Sequence, residues 1–312
     1  MPAKQFVGAI IQHGPEYLDK KKSLDKAMAL AEMAAKKGAN YLVFGETWLS
    51  GYPAWLDHCP NVANWDAEPV KEVFAKMYAN GITVPGPEVD VLCKLAKNLK
   101  TGISIGVNEI VDSGSKNGTI YNTLLLINES GALVNHHRKL MPTFTEKMLY
   151  GHGDGNGLKS GEVNGTKVGG LICWEHWMPL SRQAMHNSGE LVHAAVWPNV
   201  TEMLQIASRS YAFEGRCFVF TAGQIMRANE IPKELDLPEK FQNDANALVL
   251  RGGSAIIGPD GRYLVEPVFD KEDILIAELD LQKVYKEKMA LDVTGHYQRE
   301  DVFEFNVNSK RQ

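Results

Sequence analysis

The feature that most limits what this chain can fold into is its opening. Residues Phe6–Gln12 are an apolar run rich in β-branched residues. Residues 21–37 carry Leu24, Ala27, Met28, Ala31, Met33, Ala34 and Ala35 at helical spacing, and Tyr41–Phe44 return to an apolar run. Gly38 is the stop signal between the helix and the second run. A strand, a crossing helix and a second strand imply a βαβ unit, hence a largely buried sheet with helices on its face.

The alternation continues less cleanly. Segments 70–78 and 89–99 read as helices and 102–111 as a strand. Strands at 121–127 and 132–136 flank Asn128-Glu129-Ser130-Gly131, a hairpin turn. The apolar run 168–172 ends at Cys173, and 191–197 is another. A helix at 202–216 leads into a strand at 217–222. Segments 254–257 and 262–265 flank the turn Gly258-Pro259-Asp260-Gly261, 274–279 is a last strand, and 281–288 a short helix. With no linker, repeat or composition break, a single α/β domain over 1–290 is the simplest reading. The polar, aperiodic stretch 291–312 is expected to be an extension that packs at an oligomer interface.

A net charge of -5 gives no electrostatic case for a nucleic-acid partner. No apolar run reaches the roughly 18–20 residues of a membrane span, and the N-terminus lacks the layout of a signal peptide, so a cytoplasmic location is expected. Cys59, Cys93, Cys173 and Cys217 form no C-x-x-C pair and are expected as free thiols.

Three positions stand out for chemistry. Cys173 ends a strand, where α/β proteins collect catalytic groups and where a thiol can be exposed on a rigid backbone; a buried packing cysteine is the alternative. Glu46 follows the run Tyr41–Phe44, where burial raises a carboxyl pKa and suits a general base; a solvated strand-end charge is the alternative. Lys139 closes His136-His137-Arg138-Lys139 and either neutralises charge on a reacting atom or decorates a basic edge. Glu146 either orients Lys139 or sits as an acid at a helix start. His136 and His137 point to opposite sides of an extended segment, which makes them poor joint metal ligands. Gly151-His152-Gly153-Asp154-Gly155 reads as a tight turn rather than a phosphate loop. Tyr52, Trp174 and Trp197 are candidate substrate-binding walls, with core packing as the alternative.

Together, Phe44-Gly45-Glu46-Thr47-Trp48-Leu49-Ser50-Gly51-Tyr52-Pro53, Arg138-Lys139-Leu140-Met141-Pro142-Thr143-Phe144-Thr145-Glu146 and Cys173-Trp174-Glu175-His176-Trp177-Met178-Pro179-Leu180 resemble the nitrilase superfamily of carbon–nitrogen hydrolases, and specifically its nitrilase branch. The likeness runs over roughly residues 5 to 305, and the joint order of the motifs makes it specific. Position 45 departs from it, with Gly where the family often has Pro.

The resemblance implies a four-layer α-β-β-α sandwich. It also implies a homodimer or higher homo-oligomer, often spiral, that buries one helical face. It carries the catalytic glutamate, lysine and cysteine onto Glu46, Lys139 and Cys173, and a supporting glutamate onto Glu146. The implied activity is hydrolysis of a small organic nitrile by water to a carboxylic acid and ammonia, through a thioimidate and thioester on Cys173, with no cofactor and no metal. An amidase or carbamoyl-amide hydrolase using the same triad is the rival within the fold. A non-catalytic interaction protein is the rival outside it.

Overall fold

The computed structural model describes residues 5–311. Its opening is β1 (Phe6–Gln12), α1 (Lys20–Lys36) and β2 (Tyr41–Phe44), with β1 and β2 parallel and Ile10 beside Val43. The Asp19 carboxylate caps α1 by accepting from the Lys22 N–H at 3.0 Å. Gly38, at φ +94°, turns the chain out of the helix. The chain continues through α2 (Trp55–His58), α3 (Glu68–Ala79), α4 (Pro87–Leu99), β3 (Gly102–Ile110), β4 (Ile120–Ile127) and β5 (Leu133–Arg138). The second half runs β6 (Gly161–Val163), β7 (Thr166–Ile172), α5 (Pro179–Asn187), β8 (Val192–Val196), α6 (Glu202–Gly215), β9 (Phe218–Ala222), β10 (Ile225–Arg227) and α7 (Glu239–Gln242). It closes with β11 (Leu248–Ile257), β12 (Tyr263–Phe269), β13 (Asp273–Leu279) and α8 (Gln282–Lys288).

Among the described residues these strands make two mixed sheets. One is ordered β13-β1-β2-β3-β4-β5; the other is β10-β11-β9-β8-β7-β6, with β12 paired to β11. Period-two alternation sorts their side chains. Ala9, Ile11, Leu42 and Phe44 turn outward onto Leu30, Ala31 and Ala34 of α1 and Leu92 and Ala96 of α4. Ile10, Tyr41 and Val43 turn inward onto Val168, Ala194 and Phe220 of the second sheet, whose other face meets Ala207 and Tyr211 of α6. The order is helix, sheet, sheet, helix: the expected four-layer sandwich. The sheets approach closely at Gly8, where an added Cβ would fall 2.2 Å from the Phe220 ring. A third cluster, with Trp55, Val73, Met77 and Phe241, joins α2 and α3 to the loops around β10 and β11.

Several elements differ from the sequence reading. Strand β6 pairs with β7 across an Asn164-Gly165 turn, and at three residues it is too short to carry a period in the sequence. Helix α5 begins at Pro179, and its mixed, half-exposed residues give no clear period. Strand β11 runs through Gly252 and Gly253 at φ +78° and +84°, glycines that look like a break in the sequence. No helix among the described residues is long and apolar enough to cross a membrane. Residues 291–311 form turns and coil, and Arg311 folds back onto the same chain, meeting Asp154 at 3.2 Å and the His136 carbonyl at 2.6 Å.

Candidate active site

Strands β2, β5 and β7 each release one of the singled-out residues just beyond their last position. In the first sheet β2 and β3 are parallel, and β4 and β5 then reverse twice, so β2 and β5 end on the same side. The second sheet is stitched to that end by the Glu46 N–H, which donates to the Trp197 carbonyl at 3.4 Å, and by the Gln224 amide, which donates to the Glu46 carbonyl at 2.8 Å. The loop that carries Glu46 lies directly on Gly106, where a Cβ would fall 2.3 Å from the Thr47 nitrogen.

The structure brings Glu46, Lys139, Glu146 and Cys173 together, and all four are buried. The Lys139 ammonium donates to Glu46 Oε1 at 2.7 Å and to Glu146 Oε2 and Oε1 at 2.7 and 3.0 Å. One carboxylate oxygen of each glutamate and the Cys173 Sγ lie within 4.8 Å of one another. Three such donors could surround a cation, and here the Lys139 ammonium is that cation.

The two carboxylates are not equivalent. Glu146 is saturated: beyond Lys139 it accepts from the Tyr52 hydroxyl and the Thr143 N–H, each at 2.8 Å. Glu46 Oε1 takes Lys139 and the Asn122 amide at 2.7 Å, while Oε2 is buried with no hydrogen-bond partner among the described residues. Burial lifts the Glu46 carboxyl to about 7 against the opposing pull of Lys139, and Glu146 adds to the rise. Burial, then the Glu46 charge, pushes the Cys173 thiol well up; Lys139 and the Trp174 N–H oppose that. Burial alone would strip the Lys139 ammonium, but the charges of Cys173, Glu46 and Glu146 outweigh it and hold the proton firmly. The site therefore offers a neutral thiol, a fixed ammonium and one unsaturated carboxylate oxygen of near-neutral pKa.

Three of these loops contain a non-glycine residue in the left-handed region: Thr47 at φ +48°, Phe144 at +44° and Cys173 at +53°. Such conformations cost of order 1 kcal/mol each and persist only where surrounding contacts fix them. Glu175 supplies one such fixture. Its buried carboxylate accepts from the Ile172 and Leu140 N–H groups, both at 2.7 Å, and from His137 Nε2 at 2.9 Å. It thereby ties the chain neighbour of Cys173 to the chain neighbour of Lys139. Asn122 likewise accepts from the Lys139 N–H through its carbonyl, at 2.8 Å, while its side chain holds Glu46. Neither residue was singled out in the sequence. Glu175 lay inside the nucleophile motif, and the alternation of β4 gave Asn122 no distinguishing signal.

A cavity of about 740 Å³ opens over Cys173 and Glu146. Its walls are mainly apolar, from Met141, Phe144, Trp174, Trp177, Met178 and Leu204, with Asp57 and Lys147 also lining it. Tyr52 and Trp174 line it, as expected. Trp197 does not: it is fully buried and stacks on His176 at 4.8 Å, and its neighbour Pro198 reaches the cavity instead. The thiol is also more enclosed than a strand-end position implies, because the turn after β7 folds it inward. His136 and His137 part as alternation requires, to Glu109 and Glu175.

A model of the carbon–nitrogen hydrolase family matches residues 9–288. Among curated relatives, the chain is 37% identical over 300 residues to Nitrilase 2 of an unknown prokaryotic organism, covering 96% of this chain and 91% of that one. It is 34% identical over 306 residues to the aliphatic nitrilase of Sinorhizobium fredii strain HH103, covering 98% and 96%. It is 35% identical over 302 residues to the bifunctional nitrilase/nitrile hydratase NIT4A of Lupinus angustifolius, covering 96% and 84%. Among solved structures, Saccharomyces cerevisiae Nit3, a member of branch 10 of the nitrilase superfamily, superposes with a TM-score of 0.72 at 21% identity, covering 95% and 97%. At that identity the likeness speaks for the fold alone.

Proposed function

The chain belongs to the carbon–nitrogen hydrolase family, and from that premise we propose that it is a nitrilase: it hydrolyses a small organic nitrile to the carboxylic acid and ammonia on Cys173. The observation that carries this reading is the ammonium of Lys139, held between two carboxylates beside the Cys173 sulfur on the floor of an apolar-walled cavity.

The steps follow from the charges. Glu46, through its unsaturated Oε2, takes the Cys173 proton as the sulfur bonds to the nitrile carbon, and that proton passes to the nitrogen to give a thioimidate. Lys139 opposes the negative charge that builds on nitrogen, and later on oxygen. Glu146 and Tyr52 hold Lys139 in place. Water adds to the thioimidate, ammonia leaves, and a thioester remains. Glu46 then activates a second water, which releases the acid and restores the thiol. Trp174 and its apolar neighbours suit an apolar nitrile.

Several curated relatives carry the double name nitrilase/nitrile hydratase, which favours a second outcome at the tetrahedral intermediate: expulsion of the thiol instead of ammonia, giving amide. One nitrile and its matching amide, assayed side by side for acid, amide and ammonia, separate nitrilase from amidase. Turnover of the amide alone would displace the proposal. So would near-normal turnover by Cys173→Ala, or a covalent adduct on another cysteine. Two copies are expected to pair through the layer of α5 and α6, where Leu180, Met203, Ile206 and Phe213 are exposed, with 291–312 as an extension beyond the hydrolase domain.

A further inference from the structure

Behind the nucleophile lies a buried chain of titratable groups that the reaction above does not use. His176 Nδ1 donates to the carbonyl oxygen of Cys173 itself at 2.7 Å. His176 Nε2 meets His193 Nε2 at 3.0 Å, and His193 Nδ1 meets Glu190 Oε2 at 2.8 Å. Donor accounting fixes the directions. A carbonyl only accepts, so the His176 Nδ1 carries hydrogen and its Nε2 accepts from His193. The Glu190 carboxyl is held down to about 2, against the effect of burial, by His193 and His186, so it accepts as well. The chain thus ends on an acceptor at each side, the nucleophile's carbonyl at one end and the Glu190 carboxylate at the other.

The rest of the surroundings lock this chain. Trp197 stacks on His176, and the Tyr211 hydroxyl donates to Glu190 Oε1. His186 stands 3.7 Å from Glu190 and 3.8 Å from Glu214. Glu214 accepts from Arg182 at 2.7 Å, and Arg182 donates to the His176 carbonyl at 3.2 Å. The loop of contacts closes on the residue where it began.

We propose that His176, backed by His193 and Glu190, is a positioning residue that keeps the Cys173–Trp174 peptide turned so that its N–H faces the reacting centre. The C=O and N–H of a trans peptide point in opposite directions. Holding the carbonyl of Cys173 back against His176 therefore holds the N–H of Trp174 forward. That N–H acts on the Cys173 thiol in the direction of the thiolate, against the rise that burial imposes. Cys173 sits at φ +53°, a conformation with little support of its own. A structural histidine would serve as well bonded to any buried carbonyl; this one bonds to the one whose peptide carries the donor. The inference rests on the assignment of Cys173 as nucleophile.

The test compares His176→Asn with His176→Gln. The asparagine amide nitrogen falls near the place of Nδ1 and can still donate to the Cys173 carbonyl; the glutamine amide falls near Nε2 and cannot. Two readouts are taken: kcat and KM on a nitrile, and the pH dependence of iodoacetamide alkylation at Cys173, located by mass spectrometry. Glu46, Lys139 and Glu146 face the sulfur and shape that profile in every variant, so the difference between variants carries the answer. H176Q should lose at least about tenfold in kcat with KM little changed, the scale of a misdirected backbone donor. Its alkylation profile should move up by about one pH unit. H176N should lose no more than about threefold and keep the wild-type profile. Equal loss in the two variants overturns the proposal, as does a tenfold loss in folded H176N, which decides the matter even if H176Q does not fold. Glu190→Gln removes only the far anion and should shift the profile upward by less; an unshifted profile removes His193 and Glu190 from the device. Alkylation needs no substrate, so a shifted profile in a protein that turns over no nitrile would sink the proposed function and leave this inference standing.

Discussion

Glu175→Gln tests how the site is held together. Three donors converge on two oxygens: Leu140 N–H and His137 on Oε1, Ile172 N–H and His137 on Oε2. An amide keeps one of those oxygens and turns an NH₂ group against the other backbone N–H. One stranded buried N–H costs about 1–3 kcal/mol, and changing the surviving acceptor from charged to neutral removes about 1 kcal/mol more. The expected loss of stability is about 3 kcal/mol. It is read as a fall in the urea midpoint at unchanged slope. Activity should fall further than stability explains, because the freed segment adjoins Cys173 or Lys139, and a displacement of about 1 Å costs about 10²-fold. The pH dependence carries a sign. Charge from His137 and the two N–H groups holds the Glu175 carboxyl below its ordinary 4.5 despite burial. Its contribution is therefore present above pH 4.5 and is lost as pH falls below that value. The gap between variant and wild type should narrow on acidification. A variant within about 0.5 kcal/mol of wild type, with full kcat, would refute the reasoning.

Three further outcomes follow from the same geometry. Glu46 must be ionised to accept a proton, so kcat/KM should fall as pH drops through about 7, the value to which burial raises it; a rate flat from pH 8 to 5 would remove Glu46 as base. Lys139→Met leaves two buried carboxylates facing each other, and should cost about 3–5 kcal/mol of stability and at least about 10²-fold in kcat, measured by urea denaturation and ammonia release; a folded, active variant would contradict the caged-ammonium role. Gly106→Ala would place a Cβ 2.3 Å from the Thr47 nitrogen and 2.4 Å from the Gly45 oxygen, so the variant should lose turnover by displacing Glu46 even where circular dichroism shows a folded protein.

The parts of this molecule legible in the sequence are those that local pattern determines. Strand β1, helix α1 and strand β2 lie almost where period and punctuation put them, because their apolar faces belong to continuous cores. Strand β6 has no legible signal because three residues carry no period, and β11 reads as shorter than it is because its paired glycines look like a turn, whereas they form a left-handed irregularity inside a continuous strand. Glu46, Lys139, Glu146 and Cys173 and their expected roles are legible from their motifs, but the bonding that sets one glutamate apart from the other is not. The free oxygen of Glu46 and the saturation of Glu146 come from partners at 52, 122 and 143, which no local window links. Trp197 shows the opposite failure: an aromatic at a strand end reads the same whether it faces a cavity or, as here, a histidine in the core.

The caged ammonium also bears on how a turnover ends. A carboxylic acid set free above Cys173 becomes an anion at neutral pH. A solitary lysine would grip it and let product accumulate in the enzyme. Here the Lys139 ammonium is already shared by two glutamates, so under the proposed reaction the floor of the cavity should repel an anionic product, while an uncharged incoming molecule meets no such barrier. On that reading the arrangement proposed to prepare the sulfur for attack would also give the pocket a direction: neutral in, charged out. Weak inhibition by the acid, strengthened in Glu146→Gln, is the sign to look for.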